Sequence, residues 1–232
     1  MLEEAAGTRN EVSGGVFLNM VVQGRDITVQ LPPAITPALG GLPPASDNFA
    51  GRDADVQRLL EALDPRHEEQ RAVLVWSVAG LAGVGKTELV LQTSHRALRK
   101  AGWFPGGVLF IDMFGYDDDL CVSAGSALDG LLRALGMPAE HIPAGTQDRS
   151  RLYRSVLAEY ARQGRRLLVV VDNVASPEQA RPLLPSDGLT RTLVTSRHTL
   201  AGLGARLHDL DVLDPGAARG PARPGAGSIP WS

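Results

Sequence analysis

Gly80-Leu81-Ala82-Gly83-Val84-Gly85-Lys86-Thr87 is the stretch of this chain with the clearest capacity for chemistry. A glycine followed after four residues by Gly-Lys-Thr is the spacing of a phosphate-binding loop. A polyphosphate needs backbone N–H groups that converge on its oxygens, and glycine lets the main chain come close and take the dihedrals required. A helix starting at the loop adds unpaired amides and the positive end of its dipole. In that setting Lys86 reaches the β- and γ-phosphates and the Thr87 hydroxyl ligates Mg²⁺. Gly80, Gly83, Val84, Gly85 and Glu88 join them in the expected nucleotide-binding set. A plain Gly-rich turn is the alternative, and the flanks argue against it. Residues 71–78 read as a buried strand rich in β-branched side chains, and residues 87–92 open a helix.

Two further strand ends carry polar groups suited to the same chemistry. Val169-Val170-Val171-Asp172-Asn173 is an apolar strand ending in an acid, placed to hold the water shell of Mg²⁺. Asn173 stands where many ATPases carry a second acid. An amide aligns water but cannot take its proton, so hydrolysis is expected to be slow or absent. No other residue is marked by the sequence as a base. Thr195-Ser196-Arg197 closes another strand, from which Arg197 can reach the γ-phosphate and sense its presence. The expected catalytic set is Lys86, Asp172, Asn173 and Arg197, and the expected metal ligands are Thr87 and Asp172. The five histidines, at positions 67, 95, 141, 198 and 208, show no metal-ligand spacing. Other phosphate-loop classes fit less well. No third glycine follows Gly83-Val84-Gly85 to make a dinucleotide fingerprint. Neither a transporter-type L-S-G-G-Q signature nor a GTPase N-K-x-D motif is present, and no Arg-rich kinase lid is evident.

The elements that must position these groups follow from pattern. At 232 residues and 44% hydrophobic content, the chain suits one α/β domain with additional ends, or two small domains. A net charge of −3 leaves no footprint for direct nucleic-acid binding. The single cysteine, Cys121, excludes an intrachain disulfide. With no apolar run of membrane length and no signal peptide at the start, a cytoplasmic location and no membrane partner are expected. Residues 1–45 read as two short strands joined at Gly24-Arg25, followed by a Pro/Gly-rich linker. Residues 46–213 read as the nucleotide-binding domain. Asp53 or Asp55 is expected to cap a helix carrying Val56, Leu59, Leu60 and Leu63 on one face. A strand over 108–112 and a helix with Ala124, Leu128, Leu131, Leu132 and Leu135 come next. A helix carrying Leu152, Val156, Leu157 and Tyr160 follows, then strands over 167–171, 192–195 and 208–213. Continuous apolar strands alternating with amphipathic helices point to a parallel sheet covered on both faces. The tail, 214–232, has no apolar periodicity and is expected to be disordered.

With those residues in place, the sequence resembles the NB-ARC ATPases of the STAND class, in their actinobacterial form. Asn48-Phe49-Ala50-Gly51-Arg52 is similar to the family's Phe-x-Gly-Arg motif, which implies that Phe49, Gly51 and Arg52 lie near the adenine. Residues 80–87 resemble its Walker A motif, with Ala82 replacing a common glycine. Residues 167–173 resemble Walker B, and residues 193–197 the sensor strand. Val108 to Tyr116, Leu152-Tyr153-Arg154 and the run from Glu178 to Pro185 are similar to other characteristic segments. The resemblance implies a three-layer α/β domain with a five-stranded parallel sheet of order 5-1-4-3-2. It also implies a switch held off by ADP and on by ATP, with Mg²⁺, and with related regulators or other copies of itself as partners. Relatives continue into a helical lid and a winged helix. This chain is expected to be a shortened product lacking both, so a non-enzymatic fragment acting only through protein association stays open as the alternative.

Overall fold

The computed structural model describes residues 38–66, 75–79, 85–198, 200, 202–204 and 206–209. The chain divides into two units, Met1–Ile35 and Thr36–Ser232, and every described residue belongs to the second. The expected short strands before residue 32 and the tail from 214 lie outside the described residues.

Strand β3, Leu167–Val174, shows why the sheet needs helices on both sides. All of its residues except Asn173 are buried, and successive side chains point to opposite faces. Leu167, Val169 and Val171 join one core with helices α3 (Ala124–Ala134) and α4 (Thr146–Arg162). Leu168 and Val170 join another with α1 (Asp53–Leu63) and α2 (Lys86–Leu98). Each fully buried Leu or Val contributes about 1.5–3 kcal/mol, so this one strand anchors both layers.

The other strands are β1 (Val75–Ala79), β2 (Gly107–Asp112), β4 (Arg191–Ser196) and β5 (Arg206–Asp209). All pair in parallel, in the order β2-β3-β4-β1-β5. The strands differ in extent. Among the described residues β2, β3 and β4 span six, eight and six residues, β1 five and β5 four. β5 begins at Arg206, two residues before the expected 208–213, of which residues 210–213 lie outside the described residues. Its last described residue, Asp209, pairs with Ala79. Regular β3–β4 pairing breaks between Val171 and Val174, where Asn173 takes a left-handed φ of 54°. Asparagine tolerates that region better than most residues.

Three local expectations also need adjusting. Helix α1 has Arg52 at its N-cap with no side-chain cap, and Asp53 and Asp55 fall in the first turn. There they favour the positive end of the helix dipole instead. The Pro/Gly-rich stretch, expected to be an extended linker either docked or mobile, is docked over its described part. Leu39 O accepts from the Val108 amide at 2.9 Å, Gly40 bridges to Val108, and the outer edge of β2 is thereby covered. A short helix α5 (Pro177–Ala180), capped by Ser176, links β3 to the turn before β4.

Candidate functional site

The carboxyl ends of the parallel strands meet the start of α2, and the candidate site is built there. Gly85 precedes the helix at φ 82° and ψ 27°, a left-handed conformation that glycine takes at no steric cost. Lys86 and Thr87 are therefore the first two residues of α2, at its positive end. Gly80, Gly83 and Val84 lie outside the described residues. Lys86 is largely buried, and burial pulls its pKa below the usual lysine range. The nearby Arg197 cation pulls it down further, and Asp172 partly offsets both. Arg197 itself is exposed, and two cations close enough to repel one another favour a polyanion between them.

Asp172, near the end of β3, is 1% exposed. Thr87 Oγ1 donates to its Oδ2 at 2.8 Å, and Thr195 Oγ1, from β4, donates to its Oδ1. The Asn173 backbone N–H in turn donates to Thr195 Oγ1 at 2.9 Å. Burial raises the Asp172 pKa most, the Thr195 and Thr87 hydroxyls pull it back, and the Asp112 carboxylate pushes it up again. The donor set suits Mg²⁺: a hydroxyl and a carboxylate oxygen, both hard ligands, meet 2.8 Å apart. Among the described residues no group of three or more His, Cys, Asp or Glu could hold a metal.

Asn173 Nδ2 donates to Asp112 Oδ1 at 3.1 Å and to Asp172 Oδ2 at 3.2 Å. Its amide is thus held between two carboxylates. Arg197 follows β4 and stacks on the Tyr116 ring, with its guanidinium carbon 4.3 Å from the centroid. Its backbone N–H donates to Tyr116 Oη at 2.6 Å, and Tyr116 Oη donates to Val174 O at 2.7 Å. The turn bearing Tyr116 comes so near β3 that a Cβ on Gly115 would lie 2.5 Å from Ala175 N and 2.6 Å from Asn173 O.

The proposed adenine-side residues sit beside α1. Gly51 has φ 78°, Phe49 packs against the α1–α2 core, and Arg52 is 5% exposed. The Arg52 guanidinium lies 3.4 Å from Asp55 Oδ2, and Asp55 Oδ1 lies 3.2 Å from His208 Nε2 on β5. Glu88 does something the sequence did not signal. Its Oε1 accepts from the Ser46 amide at 2.7 Å and from Gln92 Nε2 at 3.0 Å, while His95 Nε2 lies 2.8 Å from Pro43 O. Glu88 therefore anchors the segment that leads into Phe49–Arg52. Lys86, Thr87, Asp172, Asn173 and Arg197 converge, whereas Phe49 and Arg52 belong to a separate cluster on the α1 side. Thr195, Asp112 and Tyr116 are the polar partners that residue spacing missed. For the first two the available signal was position, since each lies at the carboxyl end of an apolar strand.

Among the described residues no helix is long and apolar enough to cross a membrane. The sequence profile of the AAA ATPase domain matches residues 48–210. The chain is similar to the Regulatory protein AfsR of Streptomyces coelicolor, with 40% identity over 178 residues. It is also similar to the Regulatory protein AfsR of Streptomyces griseus, with 39% identity over 175 residues. Each match covers 75% of this chain, which spans only 17% of either relative's length. Among solved structures, the Aeropyrum pernix ORC1 protein in complex with DNA superposes at a TM-score of 0.48 and 16% identity. That match covers 72% of this chain and 46% of the other, and a likeness so loose carries no argument about function. The profile match, which spans most of the chain, leads to one assignment: the chain belongs to the AAA ATPase domain family, as an ATP-binding phosphate-loop module.

Proposed function

We propose that this module is an ADP/ATP switch with slow hydrolysis, belonging to a regulator. The observation that carries the reading is the 2.8 Å bond from Thr87 Oγ1 to Asp172 Oδ2. It joins the first turn of α2 to the acidic end of β3 at the place where the triphosphate and its cation must sit. Lys86 and Arg197 bind the β- and γ-phosphates, and the amides at the start of α2 add donors. Thr87 and Asp172 would hold Mg²⁺, which when bound neutralises charge on the phosphate oxygens. Phe49, Gly51 and Arg52 line the adenine side. Arg197 exchanges its stack on Tyr116 for the γ-phosphate when ATP replaces ADP, and this is how the strand end distinguishes the two. Other copies or related regulators are the partners the AfsR similarity favours.

Calorimetry of the purified chain with MgADP and MgATP tests the reading. Micromolar affinity is expected, about 8 kcal/mol of binding free energy. Lys86→Ala should abolish it while leaving the unfolding midpoint nearly unchanged, because the side chain neutralises phosphate more than it packs. Wild-type affinity in Lys86→Ala would remove the phosphate-loop assignment.

A further inference from the structure

The residue after Asp172 is an amide, and an amide cannot act as a base. The structure brings a carboxylate to it from the neighbouring strand. Asp112 ends β2 and is the register partner of Asp172 across the β2–β3 ladder. Its Oδ1 accepts from Asn173 Nδ2 at 3.1 Å and from the Phe114 amide at 2.9 Å. Phe114 has a left-handed φ of 45°, within a turn that brings its N–H back onto Asp112. The hydrogen bonds of Asp112 all fall on Oδ1, and the side chain is only partly buried, so Oδ2 is left to accept from water. Asp172 is in the opposite condition, with a hydroxyl donor on each oxygen and almost no exposure. The Asn173 amide nitrogen serves both carboxylates, which leaves its carbonyl oxygen as an acceptor.

We propose that Asp112 is the catalytic carboxylate of ATP hydrolysis: its Oδ2, beside Asn173 Oδ1, aligns the attacking water and takes its proton. The assignment rests on the reading of this chain as a slow ATPase. In the step, the water oxygen bonds to the γ-phosphorus while the bond from that phosphorus to the β–γ bridging oxygen breaks. ADP leaves with the electron pair, phosphate is formed, and the water proton passes to Asp112 and on to solvent.

The test compares phosphate release at saturating MgATP with MgATP and MgADP affinity by calorimetry. Asp112→Asn keeps the side-chain shape and the Oδ1 acceptor, so both affinities should stay within about twofold of wild type, which also certifies the fold. Turnover should fall about 100-fold, the lower end of what a general base supplies. The double variant Asp112→Asn/Asn173→Asp moves the carboxylate to the other end of the same hydrogen bond and should recover turnover to at least the wild-type value. Undiminished turnover in Asp112→Asn, or a double variant as slow as Asp112→Asn, overturns the assignment. A wild-type chain that binds MgATP yet releases phosphate no faster than Lys86→Ala defeats the hydrolytic reading itself, and this assignment with it. Whether wild type exceeds Lys86→Ala tells the two failures apart.

Discussion

Thr195→Val removes one hydroxyl from the site at nearly constant volume, and the structure sets the size of the effect. That hydroxyl donates to Asp172 Oδ1 and accepts the Asn173 N–H at 2.9 Å, and both Thr195 and Asp172 are 1% exposed. Losing a donor to a charged group costs about 1.5–3 kcal/mol, and orphaning the part-buried Asn173 amide adds a cost at the lower end of about 1–3 kcal/mol. With some relaxation, a loss of about 3 kcal/mol is expected. That is a large share of the roughly 5–15 kcal/mol that holds a domain together. Urea unfolding in Mg²⁺-free buffer measures it, with Thr195→Ser as a control expected to stay within about 1 kcal/mol of wild type. The pH dependence has a definite sign. The folded-state pKa of Asp172 lies above its unfolded value, so the folded chain holds the extra proton between the two. This contribution to stability is fully present below the unfolded pKa and is lost as pH rises through the folded one. The Thr195 hydroxyl pulls that pKa down, and its removal sends it further up. The Thr195→Val deficit should therefore be largest near neutrality and narrow on acidification towards the unfolded value. A deficit under about 1 kcal/mol at pH 7, or one that widens in acid, would refute the reasoning.

Gly115→Ala places a Cβ 2.5 Å from Ala175 N, against backbone that cannot turn aside, and should cost about 1–3 kcal/mol in thermal or urea unfolding. An unfolding midpoint equal to wild type would show that this turn yields easily. Asp172→Ala should weaken MgATP binding at least tenfold while largely sparing binding of Mg²⁺-free ATP, because the carboxylate works through the cation. Equal losses in calorimetry with Mg²⁺ and with a chelator would count against that role.

What could be read from residue order was what residue order controls. The run Leu167–Val171 announces a strand buried on both faces, and the spacing of Val56, Leu59, Leu60 and Leu63 announces a helix face, because each pattern is local. The polar cluster is not local. Thr87 and Asp172 are 85 residues apart, Asn173 and Asp112 are 61 apart, and Arg197 and Tyr116 are 81 apart. No period connects such pairs, and only the arrangement of strands makes them neighbours. Glu88 shows the same limit from the other side. Its position after Thr87 pointed to the nucleotide, yet its carboxylate is engaged by Ser46, 42 residues upstream. Asp53 and Asp55 are capping residue types, yet α1 begins at Asp53 itself, with Arg52 in the N-cap position.

The strand order also governs how this protein assembles on the ribosome. β2 and β3 are neighbours in the sheet and can pair as soon as both have emerged. β1 lies between β4 and β5, so among the described strands it has no sheet partner until β4 has been synthesised. Parallel pairings of such long range are slow to form, and the waiting state is prone to aggregate. Insertion of β4 ends the wait, joining β3 to β1 and delivering Thr195 to Asp172 in the same movement. Nascent chains caught before Arg191–Ser196 has emerged should therefore be the natural clients of chaperones, and competence to bind ligand arrives with the closing of the sheet.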